Sequence, residues 1–165
     1  IVKPEKVLYK STNQTDLNLY FYRPLDFDNS KLYNCIIFFH GGGWNSGDYK
    51  QFERQSMYFA SRGMVAVSAE YRIKNKHGTS PIQAIEDAKS AIRFLRLNAN
   101  EFSIDPDRIA AAGGSDDELH VLVIDEDGLF TGTAGATLET FAHVSLVTDA
   151  KDDQGNSNYF KDVIT

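Results

Sequence analysis

Residues 35–44 of the chain read CIIFFHGGGW, and this stretch decides the fold. Its first five residues form a continuous apolar run, which predicts a strand covered on both faces. The glycine-rich turn that follows lies at the carboxyl end of that strand, where open α/β sheets place their binding sites. Successive glycines let the backbone turn tightly and point N–H groups into a cleft, where they can stabilise the oxyanion of acyl transfer. A plain tight loop is the alternative, whereas a phosphate-binding loop is disfavoured because no Gly-Lys-Ser/Thr sequence follows.

Strands and helices alternate on both sides of this turn. The predicted elements are strands at 7–9, 17–22 and 35–39, a helix from Asp48 to about Arg62 ended by Gly63, a strand at 65–69, a helix from Ser80-Pro81, a turn at 105–107 and a strand at 109–112. The second strand alternates apolar and polar residues and is expected to be half-buried. The helix from Ser80 places six apolar residues on one face: Ile82, Ile85, Ala88, Ala91, Ile92 and Leu95. This order predicts an α/β fold with a mostly parallel sheet and helices on both of its faces.

A second motif, Gly113-Gly114-Ser115, comes directly after the last of these strands. A nucleophile elbow places a serine on a sharp turn between small residues, in the pattern G-x-S-x-G. Gly113 and Ser115 match that pattern, but position 117 is Asp. Taken alone, half a motif favours a polar turn.

The two motifs lie about 70 residues apart, with two helices and a strand predicted between them. With that spacing the sequence closely resembles the α/β-hydrolase superfamily, in its hormone-sensitive-lipase-like and acetyl-xylan/feruloyl-esterase-like branch. The resemblance covers nearly all of residues 1–115. It rests on HGGGW at 40–44, SAEYR at 68–72, DAKSA at 87–91 followed by RFLR at 93–96, and DPDRI at 105–109 leading to GGS at 113–115.

This resemblance implies a serine carboxylic-ester hydrolase that needs neither a cofactor nor a metal. Ser115 corresponds to the nucleophile, which attacks an ester carbonyl to give an acyl-enzyme. The backbone N–H groups of Gly42 and Gly43 correspond to the oxyanion hole, and the N–H of Asp116 would be its other donor. The implied substrate is a small ester or an acylated carbohydrate.

The resemblance also implies supporting roles for several other residues. His40 and Gly41 are expected to shape the oxyanion loop, and His40 is not expected to act as the base. Trp44 also belongs to this loop and is expected to line the acyl or alcohol pocket. Tyr71 and Arg72 are expected to brace the loop and the core.

The family pattern stops at Ser115. The family continues with small residues that open a long helix, whereas residues 121–124 here form a β-branched apolar run that predicts a strand. Asp117 also places a side chain where the elbow needs none. Because one strand–helix–strand unit takes roughly 30 residues, residues 116–165 are too short to supply the acid and the histidine of a triad. No triad acid or histidine is identified. Asp125 or Asp127 followed by His143 has the order of acid and histidine that the family shows after its nucleophile. We expect instead that His120 lies on a strand and His143 on a short amphipathic helix, both as structural residues.

Charge changes at the same point. Residues 1–115 carry 15 Lys and Arg against 12 Asp and Glu, a net charge of +3, whereas residues 116–165 carry 2 against 11, a net charge of −9. The stretches 118–128, 131–135 and 145–164 resemble the contractile-tail sheath protein of large tailed phages, a self-assembling structural subunit without a catalytic role. We therefore hypothesise a truncated α/β-hydrolase domain at 1–115 and a foreign, acidic, short β-rich segment at 116–165. This chimera, formed by natural fusion or sequence misassembly, would have little esterase activity; a phage sheath fragment, a divergent hydrolase and a non-catalytic binding module are the alternatives.

Composition excludes several further classes. No apolar stretch approaches the roughly 20 residues that a membrane span needs, and no signal peptide is visible. The chain begins with Ile1, so an upstream segment is expected to be missing, and the sequence does not indicate a compartment. We expect no nucleic-acid partner. Cys35 is the single cysteine and is expected to be a small core residue.

Overall fold

The computed structural model describes residues 3–114, the backbone of 118–125 and 136–145, and Gln154 and Asn156. Within these residues the strands are β1 (Glu5–Ser11), β2 (Asp16–Tyr22), β3 (Tyr33–Phe39), β4 (Val65–Ala69), β5 (Ile104–Gly113), β6 (Glu118–Asp125) and β7 (Ala136–Ser145). The helical segments are a 3-10 turn (Tyr49–Phe52), α1 (Glu53–Ser61), α2 (Lys74–His77), α3 (Pro81–Leu97) and α4 (Ala99–Phe102). None of these helices combines the length and apolarity needed to cross a bilayer.

The described strands form one sheet in the order β1-β2-β4-β3-β5-β6-β7. The central strands β4, β3 and β5 are parallel, which confirms the prediction for the centre of the sheet. The flanking strands β1, β2, β6 and β7 pair antiparallel, so the sheet as a whole is mixed. For β1 and β2 the connection explains the antiparallel pairing, because only residues 12–15 join them and a parallel neighbour requires a crossover of a dozen or more residues.

Helices cover both faces of the sheet, as predicted. On one face Phe38 of β3 packs against Phe52 and Phe59, with ring centroids 5.0 and 5.8 Å apart. On the opposite face α3 and α4 contribute Leu95 and Phe102 to a second apolar cluster. Cys35 is fully buried within that second cluster, in agreement with its expected role.

Strand β2 is covered on both sides, and the prediction of a half-buried strand is wrong. All its residues from Leu17 to Tyr22 are buried. Leu19 and Phe21 face α3 and α4, while Tyr20 and Tyr22 face α1. The prediction failed because tyrosine rings can be buried: the Tyr20 hydroxyl donates to Glu70 at 2.9 Å, while the buried Tyr22 hydroxyl has no partner among the described residues.

The helix predicted from Asp48 to Arg62 is divided in two. Asp48 does cap its start, since its Oδ1 accepts a hydrogen bond from the Lys50 amide at 2.9 Å. The first turn is a 3-10 turn, and the α-helical part begins only at Glu53. Gly63 follows the helix with φ +84°, as expected of a residue that ends a helix.

Helix α3 begins where predicted and buries Ala91 and Leu95 as expected, but its buried face is shifted at the N-terminal end. Ser80 is the N-cap and forms a capping box with Gln83, and Pro81 is the first residue of the helix. Ile82 and Ile85 remain 63% and 47% exposed, although the apolar pattern placed both in the core. The buried positions are Ala84, Asp87, Ala91 and Leu95. The helix is rotated towards Asp87 because this carboxylate has buried cationic partners, which are described below.

The predicted turn at 105–107 lies inside β5. Ile104 pairs with Tyr33 and Ile109 pairs with Cys35, so β5 accommodates its extra residues in a bulge. The Asp107 amide donates to Oδ1 of Asp105 at 3.1 Å within this bulge. The strand therefore begins at Ile104 instead of residue 109, and the turn interrupts it.

The chain after β5 returns as an antiparallel strand. Gly113 pairs with His120, so β6 contains the strand predicted at 121–124 and also holds His120 as expected. The prediction that His143 lies on a helix is wrong, because it belongs to β7. Strand-favouring residues outweigh the helical spacing there: Thr137, Thr140, Phe141 and Val144. Residues 115–117, which include the predicted nucleophile and Asp116, lie outside the described residues.

Candidate active site

Strands β3 and β5 bring the two sequence motifs to the same edge of the sheet. The strands are parallel neighbours, and Phe39 pairs with Gly113. Since paired strands lie about 4.8 Å apart, the glycine-rich turn and residues 113–114 leave the sheet side by side. Both motifs line one cavity of about 360 Å³. The turn contributes Gly43, and the end of β5 is followed by Gly114, which also lines the cavity.

The glycine-rich turn has a backbone that requires glycine. Gly42 has φ +121° and Gly43 has φ +58°. A Cβ atom on Gly42 would lie 2.3 Å from the carbonyl oxygen of Ser46, so no other residue fits at this position. The Gly42 carbonyl accepts hydrogen bonds from the amides of Asn45 and Ser46 at 3.0 and 3.2 Å. These bonds close the turn and hold its amides in place.

Two amides of this turn have no acceptor among the described residues. Neither the N–H of Gly42 nor that of Gly43 donates to a described group. Gly43 lines the cavity next to Trp44, whose φ is +61° and whose side chain is 49% exposed. Of the two, Gly43 lines the cavity, and a free N–H donor in such a position can stabilise a developing oxyanion.

His40 is locked against Tyr71 beneath the turn. Both side chains are buried, and their rings stack with centroids 4.2 Å apart. The Tyr71 hydroxyl donates to the His40 carbonyl, and His40 Nδ1 lies 2.9 Å from the Gly41 carbonyl oxygen. Because a carbonyl only accepts, Nδ1 carries the proton in this contact. Burial lowers the pKa of His40 and raises that of Tyr71 to about 12, so both are neutral near pH 7.

Two residues that the sequence analysis did not single out complete the loop. Gly47 has φ +117°, and a Cβ atom there would lie 2.1 Å from His40 Nδ1. Gln51 accepts a hydrogen bond from the Gly41 amide through Oε1. The Asn-Ser-Gly sequence at 45–47 is a turn signal that could have identified Gly47, whereas nothing in the local sequence indicates Gln51.

A buried charge cluster anchors the loop that carries Tyr71. Arg72 binds Asp87 through Nε at 2.8 Å and through its second terminal nitrogen at 2.9 Å, and its amide donates to the same carboxylate at 3.1 Å. Lys10 Nζ adds a contact of 2.6 Å. Burial of the Asp87 carboxylate would raise its pKa, but the hydrogen bonds from Arg72 and Lys10 outweigh it and hold the pKa below its ordinary value. Helix α3 thereby fixes the backbone next to Tyr71.

A second, polar cavity of about 340 Å³ lies on the other side of the His40–Tyr71 pair. Glu70 lines it, and its carboxylate accepts hydrogen bonds from the amide and side chain of Asn18 and from the Tyr20 hydroxyl. His77 also lines it and accepts a hydrogen bond from the Ile73 amide at 3.0 Å. Among the described residues no group of three or more His, Cys, Asp or Glu side chains could hold a metal ion.

The structure thus gathers five of the predicted site residues: His40, Gly41, Gly42, Gly43 and Trp44. The chain approaches the position of Ser115 along β5, and Gly114, the last described residue before it, lines the same cavity. Ser115 and Asp116 themselves lie outside the described residues.

Comparison with known proteins identifies relatives of this chain. The BD-FAE family model matches residues 19–117. Carboxylesterase NlhH of Mycobacterium tuberculosis is 35% identical over 82 residues, which are 48% of this chain and 25% of NlhH. An arylesterase of Saccharolobus solfataricus is 26% identical over 152 residues, 90% of this chain and 48% of its own length. The solved structure of esterase 2 from the planctomycete Thermogutta terrifontis is similar with a TM-score of 0.67 and 45% identity, covering 68% of this chain and 40% of that chain. The chain therefore spans between a quarter and about half of these relatives.

Proposed function

This chain belongs to the BD-FAE family, within the α/β-hydrolase esterases, and from that premise we propose that it carries the nucleophile and oxyanion half of a serine carboxylic-ester hydrolase. Ser115 attacks the carbonyl carbon of an ester and forms an acyl-enzyme. The amides of Gly42, Gly43 and Asp116 stabilise the oxyanion. The substrate is a small ester or an acylated carbohydrate, and no cofactor takes part.

The observation that carries this proposal is the register between β3 and β5. Phe39 opposite Gly113 places the glycine-rich turn beside the residues that lead to Ser115. From this register we infer that the Gly43 amide, with that of Gly42 beside it, would be within reach of a carbonyl attacked from position 115. Gly43 is exposed and Gly42 half-buried, so water can hydrate both amides and their lack of an acceptor is equally compatible with a plain loop. The oxyanion role is favoured because Gly43 lines the same cavity as Gly113 and Gly114.

The related esterase 2 supports an acyl-transfer role for the same region. It has been solved with propionate and with butyrate bound, and after phosphonylation by sarin and by cyclosarin. We infer that the present cavity likewise receives small acyl groups, and that an organophosphonate is a suitable probe for its nucleophile.

We further propose that this chain by itself hydrolyses esters poorly. Of the titratable side chains, only His40 and Tyr71 line the cavity within the described residues. The Nδ1 proton of His40 is directed at the Gly41 carbonyl, and no carboxylate in the described part of the chain hydrogen-bonds to this ring as a triad acid would. A serine without a base remains protonated and is a weak nucleophile at neutral pH.

The experiment compares the chain with Ser115→Ala in hydrolysis of p-nitrophenyl acetate. We expect the two rates to agree within about threefold. A Ser115-dependent rate more than about tenfold above the variant would overturn the proposal of poor activity.

The nucleophile is tested separately with a fluorophosphonate and mass spectrometry of the labelled peptide. We expect a slow adduct on Ser115, accelerated by added imidazole as an external base and absent in Ser115→Ala. Ser61→Ala, which removes an exposed serine from α1, is the matched control and should label like the parent chain. If imidazole produces no adduct at Ser115, the nucleophile assignment is wrong.

For residues 116–165 we retain the proposal of a segment unrelated to the hydrolase domain, with the phage sheath fragment as its possible origin. The match to the family model ends at 117, and β6 stands in place of the helix expected after the nucleophile. The arylesterase alignment, which extends over 90% of the chain, is the observation that favours a divergent hydrolase instead. Independent nucleic-acid sequence across the Ser115 codon tests this: a hydrolase-like continuation in place of Asp116 would indicate misassembly, and an unchanged continuation would exclude it.

A further inference from the structure

The polar cavity of about 340 Å³ behind the His40–Tyr71 pair is not used by the proposed function. Its floor contains Asn18, which is 8% exposed, and the half-buried Glu70. The Asn18 Nδ2 donates to Glu70 at 2.8 Å, which fixes the orientation of the amide and leaves Oδ1 of Asn18 without a partner among the described residues. A buried acceptor is costly unless water or a ligand donates to it, so the floor offers an acceptor to an occupant of the cavity.

Helix α2 supplies a donor to the same cavity. His77, the last residue of α2, is half-buried and lines the cavity. Its Nδ1 accepts a hydrogen bond from the Ile73 amide at 3.0 Å, so the neutral ring carries its proton on Nε2. This N–H has no acceptor among the described residues. The cavity therefore combines a free acceptor on β2 with a free donor on α2.

Charges of both signs surround the mouth of the polar cavity. The exposed charged residues of its lining are Lys6, Asp16, Asp48 and Lys76. Asp48 and Lys76 lie 3.9 Å apart, and both side chains are more than half exposed. An anion at the mouth would be repelled by two carboxylates, and a cation would be repelled by two ammonium groups. A neutral ligand that can both donate and accept hydrogen bonds avoids this repulsion.

We propose that the polar cavity binds a small, neutral, polyhydroxylated molecule of about the size of a monosaccharide. A hydroxyl group both donates and accepts, so neighbouring hydroxyls of one ligand can donate to Oδ1 of Asn18 and accept from Nε2 of His77. The cavity volume lies near the lower end of ligand pockets, which suits such a molecule. The site is separate from the cavity that leads to Ser115, and the proposal does not depend on the proposed function.

Occupancy of the polar cavity is coupled to the order of the glycine-rich loop. His40 and Gly47 line this cavity, and Gly47 lies directly against the His40 ring. Because the cavity exists only while the loop is folded, a ligand that binds there stabilises the folded loop in proportion to its occupancy. The Gly41 amide, which donates to Gln51, reports on opening of the loop.

A titration followed by NMR tests the ligand class. We would add D-glucose, myo-inositol, glycine or sulfate to the isotope-labelled chain and follow the side-chain amide of Asn18. Ligands of about a dozen non-hydrogen atoms with few apolar contacts bind weakly, so we expect the polyols to saturate the site with dissociation constants on the order of millimolar. Glycine, a zwitterion, and sulfate, an anion, should bind more weakly. If neither polyol gives a saturable shift, or if a charged probe binds more tightly than both polyols, the proposal is wrong.

His77→Asn tests the donor. The Oδ1 of asparagine can replace Nδ1 as the acceptor for the Ile73 amide, whereas no group replaces the Nε2–H. Polyol binding should weaken about threefold to tenfold, as expected for one lost hydrogen bond. Lys31→Met is the control, since Lys31 is 67% exposed and does not line the cavity. Dispersed NMR spectra establish that both variants are folded, and equal affinity of His77→Asn and the parent chain would contradict the assignment.

Hydrogen exchange measures the coupling to the loop. At ten times the dissociation constant of glucose, exchange of the Gly41 amide through loop opening should slow about tenfold. The Lys31 amide, which donates to the Asp28 carbonyl in another turn, is the control and should exchange as it does without ligand. An unchanged rate at Gly41, while glucose saturates the shift of Asn18, would show that the ligand does not bind against the His40–Tyr71 wall, and the proposed cavity would be wrong.

Discussion

Replacing Asp87 by Asn is expected to cost about 3–5 kcal/mol of the free energy of unfolding. The Asp87 side chain is fully buried and lies within 3 Å of charged nitrogens of both Arg72 and Lys10. An amide keeps the shape of the side chain but turns N–H groups towards cationic donors, which leaves the largely buried Arg72 without its counter-ion. Removing one partner of a buried pair is expensive because the other charge stays desolvated.

The loss depends on pH in a direction that follows from the depressed pKa of Asp87. A carboxyl group with a folded pKa below its unfolded value of about 3.9 contributes stability that is present above that value. The contribution disappears as the pH falls through the folded pKa. The difference between the parent chain and Asp87→Asn should therefore be constant from pH 7 to 5 and shrink below about pH 4.

Urea unfolding followed by circular dichroism measures both effects. With a slope of about 2 kcal/mol per molar urea, the midpoint should fall by about 1.5–2.5 M at pH 7. Glu86→Gln is the matched control, since Glu86 is the neighbouring carboxylate, lies 4.0 Å from Arg72 and is 60% exposed. Such an exposed pair contributes less than about 1 kcal/mol. If Asp87→Asn costs no more than Glu86→Gln, the reasoning about the buried cluster is refuted.

Three further predictions concern the loop and the core. Gly47→Ala should destabilise the chain more than Gly63→Ala, because only at 47 does a Cβ collide with His40. The urea midpoints of the two variants measure this, and equal losses of stability would show that only the positive φ matters. Tyr71→Phe should cost about 1 kcal/mol and accelerate hydrogen exchange of the amides at 41–47, and unchanged exchange would contradict its bracing role. Burial raises the pKa of the Cys35 thiol, so a thiol reagent should label it only at the rate of unfolding.

Much of the fold follows from short patterns in the sequence. The apolar run at 35–39 and the turn after it predict a buried central strand with a site at its end; β3 confirms the strand, and a cavity lies at its carboxyl end. The predicted order of elements gives the parallel centre and the helices on both faces. The order of elements does not predict the antiparallel flanks. The connection between β1 and β2 is too short for a crossover, and the pairing of β2 with β4 joins strands that are more than 40 residues apart and has no local signal.

The errors arise where long-range contacts outweigh local periodicity. Tyr20 and Tyr22 mark a polar face by composition, yet α1 covers them. The turn at 105–107 is absorbed into β5 because β3 pairs with residues on both sides of it. Gly47 is a local turn residue whose importance comes from the ring of His40, which lies seven positions earlier in the chain. No pattern within a single segment predicts contacts of this kind.

Helix α3 shows how one buried charge can organise a site. The apolar residues of the helix alone would turn Ile82 and Ile85 into the core, because their burial removes apolar surface from water. Pairing of Asp87 with Arg72 and Lys10 favours another rotation, in which Ile85 and Ala88 border the cavity instead. The same pairing fixes the backbone that presents Tyr71 to His40 and so supports the oxyanion loop. The cluster thus couples the rotation of α3 to the shape of the oxyanion loop. A substitution at Asp87 should therefore alter the binding of acyl groups in the cavity as well as stability, although Asp87 does not line the cavity.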